Sequence, residues 1–350
     1  MTTRVGEVEY ARMYYYDAEA KRGDLPLDTS LEIDPDSGVS RAVRRMAAKL
    51  GSLMPYAQGA QLFAEFAGVT ISAPSVWRVV QEAGEKALQL ECANRLNPAV
   101  PAKYVAADDD QLGVTLDGFM VNVRAEGWKE VKAGCVFEFE ERVEPKLNKH
   151  GEEIADVHAK AQSYVSHLGG PEGIGMKLFG EASRRGWKRT GKRAVIGDGA
   201  SWIWGQASFY FAKAAHIVDW YHAKQHVCAA AAMLYPDAAQ AEAKRVWTTA
   251  HSDQLYTGQA ERLAASLKGT PAESEAGYFE DNYQRLQYQD FQRDGLPIGS
   301  GTIEAGAKRY QQRLCASGMR WSRAGLLHLL PFRDAAMSDN FNELWALVGP

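Results

Sequence analysis

Cysteine is scarce in this sequence, and where it occurs it stands alone. Cys92, Cys135, Cys228 and Cys315 are the four among 350 residues, and no two form a CxxC pair. Isolated thiols support neither a zinc knuckle nor a disulfide framework, so they read as ordinary buried side chains. Long apolar runs are missing too: none approaches the roughly 18 residues that a membrane span requires. The opening stretch Met1-Thr-Thr-Arg-Val-Gly-Glu-Val-Glu9 is polar, where a secretory leader would be basic and then apolar. The expectation is a cytoplasmic protein with no membrane partner. Positive charge is not in excess either, since the formal net charge of −4 excludes a protein that coats nucleic acid through bulk electrostatics.

What is present is a globular composition, 46% hydrophobic, which at this length can bury a sizeable core divided into two or three domains. Charge is segregated. Basic residues gather at Arg41, Arg44, Arg45 and Lys49, at Arg184, Arg185, Lys188, Arg189, Lys192 and Arg193, and between Lys308 and Arg323; acids gather at Asp108–Asp110 and Glu138–Glu144. Such patches permit phosphate contacts under a near-neutral total. Solvated helix faces would give the same pattern, and the residues alone leave both readings open.

Turn-rich stretches at Gly23–Asp28 and Asp34–Gly38 separate short elements near the start. From Val39 to about Asn97 apolar residues recur at helical spacing, in Ala42, Val43, Met46, Ala47 and Leu50, then Leu62, Phe63, Phe66 and Ala67. Gly68 breaks the second helix, Ser72 suits an N-cap, and Pro74 suits the first turn of the next. This layout is compatible with a helix-turn-helix, and equally with a plain three-helix bundle. Strand texture follows in Val114–Val123 and Glu130–Phe139, joined by a turn at Glu126-Gly127, then a polar loop from Pro145 to Glu153 and a third strand near Gln162–Ser166. Met176–Arg185 reads as a helix, and Arg193–Gly197 and Ala215–Asp219 as strands. Helices are expected at Ala223–Leu234, Ala238–Ala250, Asp253–Leu267, Ala272–Leu286, Gly301–Leu314 and Arg323–Asn342. The fold class expected is an α/β core with an RNase-H-like mixed sheet, an all-helical insertion and an N-terminal helical domain. The corresponding segments are 1–100 (N-terminal helical), 101–222 (first part of the core), 223–290 (helical insertion) and 291–350 (core completion with a C-terminal helix).

Three acids stand out by position. Asp117 lies within the first strand pair, Asp198 ends the short strand Arg193–Gly197, and Glu304 sits in the first turn of a helix after Pro297-Ile-Gly-Ser-Gly301. Carboxylates on separate elements can hold two Mg²⁺ ions about 3.5–4 Å apart, one activating an attacking oxygen and one stabilising a leaving oxygen. Magnesium suits such a site because it keeps several waters and needs few carboxylates. Each acid also has a plainer reading. Asp117-Gly118 and Asp198-Gly199 are Asp-Gly turn signals, and Glu304 complements a helix dipole.

Four segments, taken together, resemble one family. Leu116-Asp-Gly-Phe-Met-Val-Asn-Val-Arg-Ala-Glu-Gly-Trp-Lys-Glu-Val-Lys132 resembles the first catalytic motif of bacterial insertion-sequence transposases of the Kra type, and Val195-Ile-Gly-Asp-Gly-Ala-Ser-Trp-Ile-Trp204 the second. His216–His226 resembles the segment that follows, and Pro297–Glu304 through Ser317-Gly-Met-Arg-Trp321 the third. The resemblance implies a DDE-type transposase with an RNase-H-like catalytic domain, in which Asp117, Asp198 and Glu304 are catalytic and bind Mg²⁺, with Mn²⁺ as a substitute. The 106 positions separating Asp198 from Glu304 then hold the helical insertion. Asp219 and His222 match an Asp-x-x-His signature seen near the start of such insertions, with His222 serving DNA positioning or site architecture, or simply capping its helix. Asp108–Asp110 is a departure from the family and a rival for the first ligand, although the spacing to Trp128 and Lys129–Lys132 favours Asp117.

The function implied is recognition of terminal inverted repeats in double-stranded DNA, followed by metal-dependent cleavage and strand transfer into target DNA, by a homodimer or larger synaptic assembly at the bacterial nucleoid. Lys308, Arg309, Arg313, Arg320, Arg184 and Arg185 are the expected phosphate contacts. Trp202 and Trp204 either stack on an unpaired base or pack in the core. Two rival functions use the same sequence features: a non-catalytic DNA-binding relic or repressor, and an RNase-H-like nuclease that cuts without joining.

Overall fold

Serine caps and one left-handed glycine set the first helices. In a computed structural model, which describes residues 1–4, 6–31, 33, 38–141, 146–147, 153–154 and 157–349, helix α1 is Arg41–Leu53, α2 is Tyr56–Ala67 and α3 is Ala73–Ala93. Ser40 accepts the Val43 N–H to start α1. Gly68, at φ +63°, ends α2, and Ser72 accepts the Ser75 N–H at 3.2 Å to start α3, with Pro74 in its first turn. The strands follow as β1 (Gln111–Val123), β2 (Gly127–Glu141) and β3 (Val157–Leu168), with helix α4 (Pro171–Arg184) after them. Next come β4 (Arg193–Gly197), α5 (Ser201–Tyr210), β5 (Ala215–Val218), α6 (Trp220–Leu234), α7 (Ala241–Tyr256), α8 (Ala260–Leu267) and α9 (Ala276–Asn282). Helices α10 (Gly301–Leu314), α11 (Arg323–Met337) and α12 (Phe341–Val348) complete the chain. Of the loops read at Asp34–Gly38 and Pro145–Glu153, the first lies outside the described residues except Gly38; of the second, only Lys146–Leu147, paired with Glu153–Ile154, and Glu153 itself are described.

The chain forms a mixed α/β protein with two compact units, Met1–Lys103 with Met120–Lys129 and Arg309–Pro350, and Tyr104–Phe119 with Glu130–Lys308. In the first, two apolar cores both draw on α1 and α3. Val43, Ala47, Phe63 and Val76 pack with α2, while Ala48, Val79, Ala83 and Ala87 pack with Phe332, Phe341, Leu344 and Trp345 of the last two helices. The close approach of α3 to α11 depends on Gly84, where a Cβ would lie 2.2 Å from the His328 carbonyl oxygen. Gly84→Ala is therefore expected to lower stability by about 1–3 kcal/mol, because two backbones must separate to admit one methyl group. A shifted urea midpoint would measure it; an unchanged midpoint would mean that the helices part without loss.

The second unit is built on a five-stranded mixed sheet in the order β5-β4-β1-β2-β3. Strand β4 runs parallel to β1 and to β5, and β2 runs antiparallel to β3 with a bulge between Val136 and Glu138. Leu112, Val114 and Leu116 of β1 and Ala194, Val195 and Ile196 of β4 are buried, as strands covered on both faces require. The segment between β5 and α10 is helical. Two helices expected at Ala238–Ala250 and Asp253–Leu267 are instead divided at Thr257–Gln259, where Gly258 adopts φ +77°. Ala272–Leu286 is helical only over Ala276–Asn282 with single 3₁₀ turns at each side, and Arg323–Asn342 breaks at Asp339, φ +56°. No helix among the described residues is long and apolar enough to cross a membrane.

Candidate functional site

Asp117 sits in the middle of β1, not at a hairpin tip; the β1–β2 turn is at Arg124–Glu126, with Ala125 at φ +63°. The Asp-Gly turn reading of this pair therefore fails, and Gly118 has another use. A Cβ there would lie 2.2 Å from the Glu130 carboxylate on the neighbouring strand, so the glycine makes room for Glu130. Because side chains alternate along a strand, Asp117 projects to the opposite face. Asp198 follows the last residue of β4, with its Oδ1 accepting the Ala200 N–H at 2.8 Å. There the turn reading and the ligand reading coexist: Gly199 adopts φ +105°, and the carboxylate is held at the strand end.

The acids meet electrostatically. Burial raises the pKa of the half-buried Asp117 carboxyl; the Gly118 N–H, 2.7 Å away, draws it back down, the Asp198 charge raises it, His222 lowers it, and the Glu304 charge raises it again. The strand centre thus feels charges from the neighbouring strand end and the helix start, while the tight grouping of ligand atoms among the described residues is a different one. Ligand atoms of Asp219, His222 and Glu304 lie within 4.8 Å of one another. The donor set is carboxylate oxygen with one imidazole, which suits a hard divalent cation, and like charges crowded at a half-buried position are what such a cation would relieve. Asp108 and Asp110 are occupied elsewhere. Asp108 is exposed and lies 3.8 Å from Arg189, and Asp110 accepts the Ala107 N–H at 2.6 Å.

Several expected phosphate contacts are structural cations, which corrects the sequence reading. Arg185 is fully buried, donating to the Val136 carbonyl at 2.7 Å and to Ser163 and Glu138 at 3.1 Å. Arg313 is 1% exposed and donates twice to the Gly51 carbonyl, at 2.9 and 2.7 Å. Arg184 pairs with Glu181 in its own helix. Lys308, Arg309 and Arg320 are exposed. Spacing in sequence registers a basic run but not which side of a helix faces the core. The tryptophans divide as well. Trp204 is buried, with the Arg285 guanidinium 4.7 Å from its ring centroid, while Trp202 is half-buried under Lys132 at 5.0 Å.

Three contributors were not singled out from the sequence. Tyr278, on α9, donates to the Asp198 carbonyl at 3.1 Å, and a Cβ on Gly199 would lie 2.6 Å from its ring. His226 stacks on Tyr278 at 3.6 Å and bonds Glu275 at 2.6 Å. Ser300, 3% exposed, bonds Asp219 through its N–H. These are long-range contacts, and only the signal of Gly199 itself was visible.

The chain is thus a mixed α/β protein in which Asp219, His222 and Glu304 stand close enough together that they could hold a metal ion. Residues 1–149 match the model of an uncharacterised protein family, UPF0236. No curated protein matches the chain.

Proposed function

We propose that this protein is a DDE-type DNA transposase with an RNase-H-like core, which cleaves at terminal inverted repeats and joins the ends to target DNA. The observation that carries the reading is that the charges of Asp198 and Glu304 both act on Asp117, although the three acids come from distant parts of the chain. The sheet adds support. Counted along the chain, its strand order is fifth, fourth, first, second, third, with the fourth strand parallel to the first, Asp117 on the first and Asp198 directly after the fourth.

Asp117, Asp198 and Glu304 would hold Mg²⁺ or Mn²⁺, which when bound supplies charge stabilisation at the phosphate and an activated oxygen nucleophile. The chain's own groups set the geometry. Gly118 N–H and Ala200 N–H each fix one oxygen of Asp117 and Asp198, so that the second oxygen of each is oriented. Tyr278 braces the turn that carries Asp198. Lys308, one helical turn beyond Glu304 and exposed, is placed to contact a phosphate, as are the exposed Arg309 and Arg320. In the reaction, water attacks phosphorus and the 3′ oxygen leaves as a hydroxyl; that hydroxyl then attacks a target phosphate and displaces its 3′ oxygen. Helices α2 and α3 are the proposed reader of the ends, with Trp77 and Arg78 exposed near the start of α3. A synaptic homodimer or larger assembly holds two ends.

The test incubates labelled DNA carrying the element's ends with Mg²⁺ and a target plasmid, comparing wild type with Asp198→Ala. Joined products lost in the variant are the expected result. Cleavage without joining makes the protein a nuclease, and binding without cleavage makes it a repressor.

A further inference from the structure

We infer that Asp219 is a positioning residue that fixes the spacing between Asp198 and Glu304, rather than a cation ligand, an inference that rests on the proposed site. Asp219 is fully buried, and every hydrogen-bonding group it has is engaged. Its N–H donates to the carbonyl of Gly197, the last residue of β4 and the neighbour of Asp198, at 2.7 Å. Its carbonyl accepts the Ala223 N–H at 3.0 Å, inside the first turn of α6. One carboxylate oxygen accepts the His222 N–H at 2.9 Å, and the other accepts the Ser300 N–H.

Ser300 carries this anchor to the third acid. Its carbonyl accepts the N–H groups of Ile303 at 2.9 Å and Glu304 at 3.2 Å, so Glu304 sits one hydrogen bond beyond a residue that Asp219 holds. Trp220 N–H donates to the Ile298 carbonyl at 2.9 Å, a second tie between the same two segments. One buried residue thereby joins the end of β4, through its main-chain N–H, to the starts of the helical segment and of α10, through its carboxylate. Within the group formed by Asp219, His222 and Glu304, the latter two are half-buried and retain access, while Asp219 has none. Aspartate suits this place because the bonds from two separate segments need two acceptor oxygens, and asparagine offers one.

The experiment measures amide exchange and Mn²⁺ affinity in the full chain for wild type, Asp219→Asn, Glu304→Gln and the double variant. In wild type the Ser300 amide is expected among the slowly exchanging groups. In Asp219→Asn, exchange across residues 298–304 rises about tenfold and Mn²⁺ affinity falls by about 10- to 100-fold, as loss of an outer-shell partner does. The double variant binds Mn²⁺ no more weakly than Glu304→Gln, because Asp219 acts through Glu304. A double variant weaker than Glu304→Gln makes Asp219 a ligand and overturns the inference. So does fast exchange at Ser300 in wild type, a readout that survives should the variants not fold. If wild type binds no Mn²⁺, the cation site falls while exchange still decides the clamp.

Discussion

Asp117→Asn is expected to abolish strand cleavage while making the cation-free protein more stable. Both effects share a cause. Burial, and then the charges of Asp198 and Glu304, raise the Asp117 pKa in the folded state above its unfolded value of about 3.9. The native state consequently binds the proton more tightly, so stability falls as pH rises from about 4 through the raised folded pKa. Asparagine carries no charge and removes that loss. Calorimetry in chelator between pH 4 and 8 should show a flatter profile and a higher melting temperature for the variant at neutral pH. Added Mn²⁺ at 100 times its Kd should stabilise wild type by about 2.7 kcal/mol and the variant far less. Turnover should fall about 10³-fold or more, the loss of several kcal/mol of charge stabilisation. A variant less stable than wild type in chelator would make Asp117 a structural acceptor.

Arg313→Ala should destabilise the first unit by about 3 kcal/mol or more. Its two hydrogen bonds to Gly51 are charge-assisted and buried, and its guanidinium lies 4.9 Å from the Tyr56 ring centroid and 5.0 Å from that of Trp321. Arg313→Lys should recover little, since a single ammonium cannot reproduce a planar fork between two rings. Lys308→Ala should do the reverse, leaving the urea midpoint unchanged while weakening DNA binding and reducing its salt slope by about 1. A destabilised Lys308→Ala variant, or an Arg313→Ala variant of normal stability with weakened DNA binding, would restore the phosphate role to the buried arginine.

The contrast between these two residues marks where sequence reading stops. Both lie in one basic run of one helix, and the run was legible; which side of α10 faces the core was not, because that depends on what packs there. Arg185 repeats the lesson, since its partners Val136, Glu138 and Ser163 lie on two other strands. Asp117-Gly118 failed in the other direction. A dipeptide that usually turns the chain runs straight through a strand here, because cross-strand pairing and the room needed by Glu130 outweigh a local preference.

By itself the sequence determined what depends on short range: the Gly68 stop after α2 and the Ser72 cap of α3, the Arg193–Gly197 strand to the residue, the Gly301–Leu314 helix, and three acids at conspicuous positions. Each of these follows from backbone preferences or periodicity within a few residues. Tertiary structure alone decided that the charges of Asp198 and Glu304 act on Asp117, that Tyr278 braces Asp198, and that Asp219 ties Gly197 to Ser300. Those contacts join residues roughly 80 or more positions apart, where no local preference operates and only the packing of sheet and helices sets the distance.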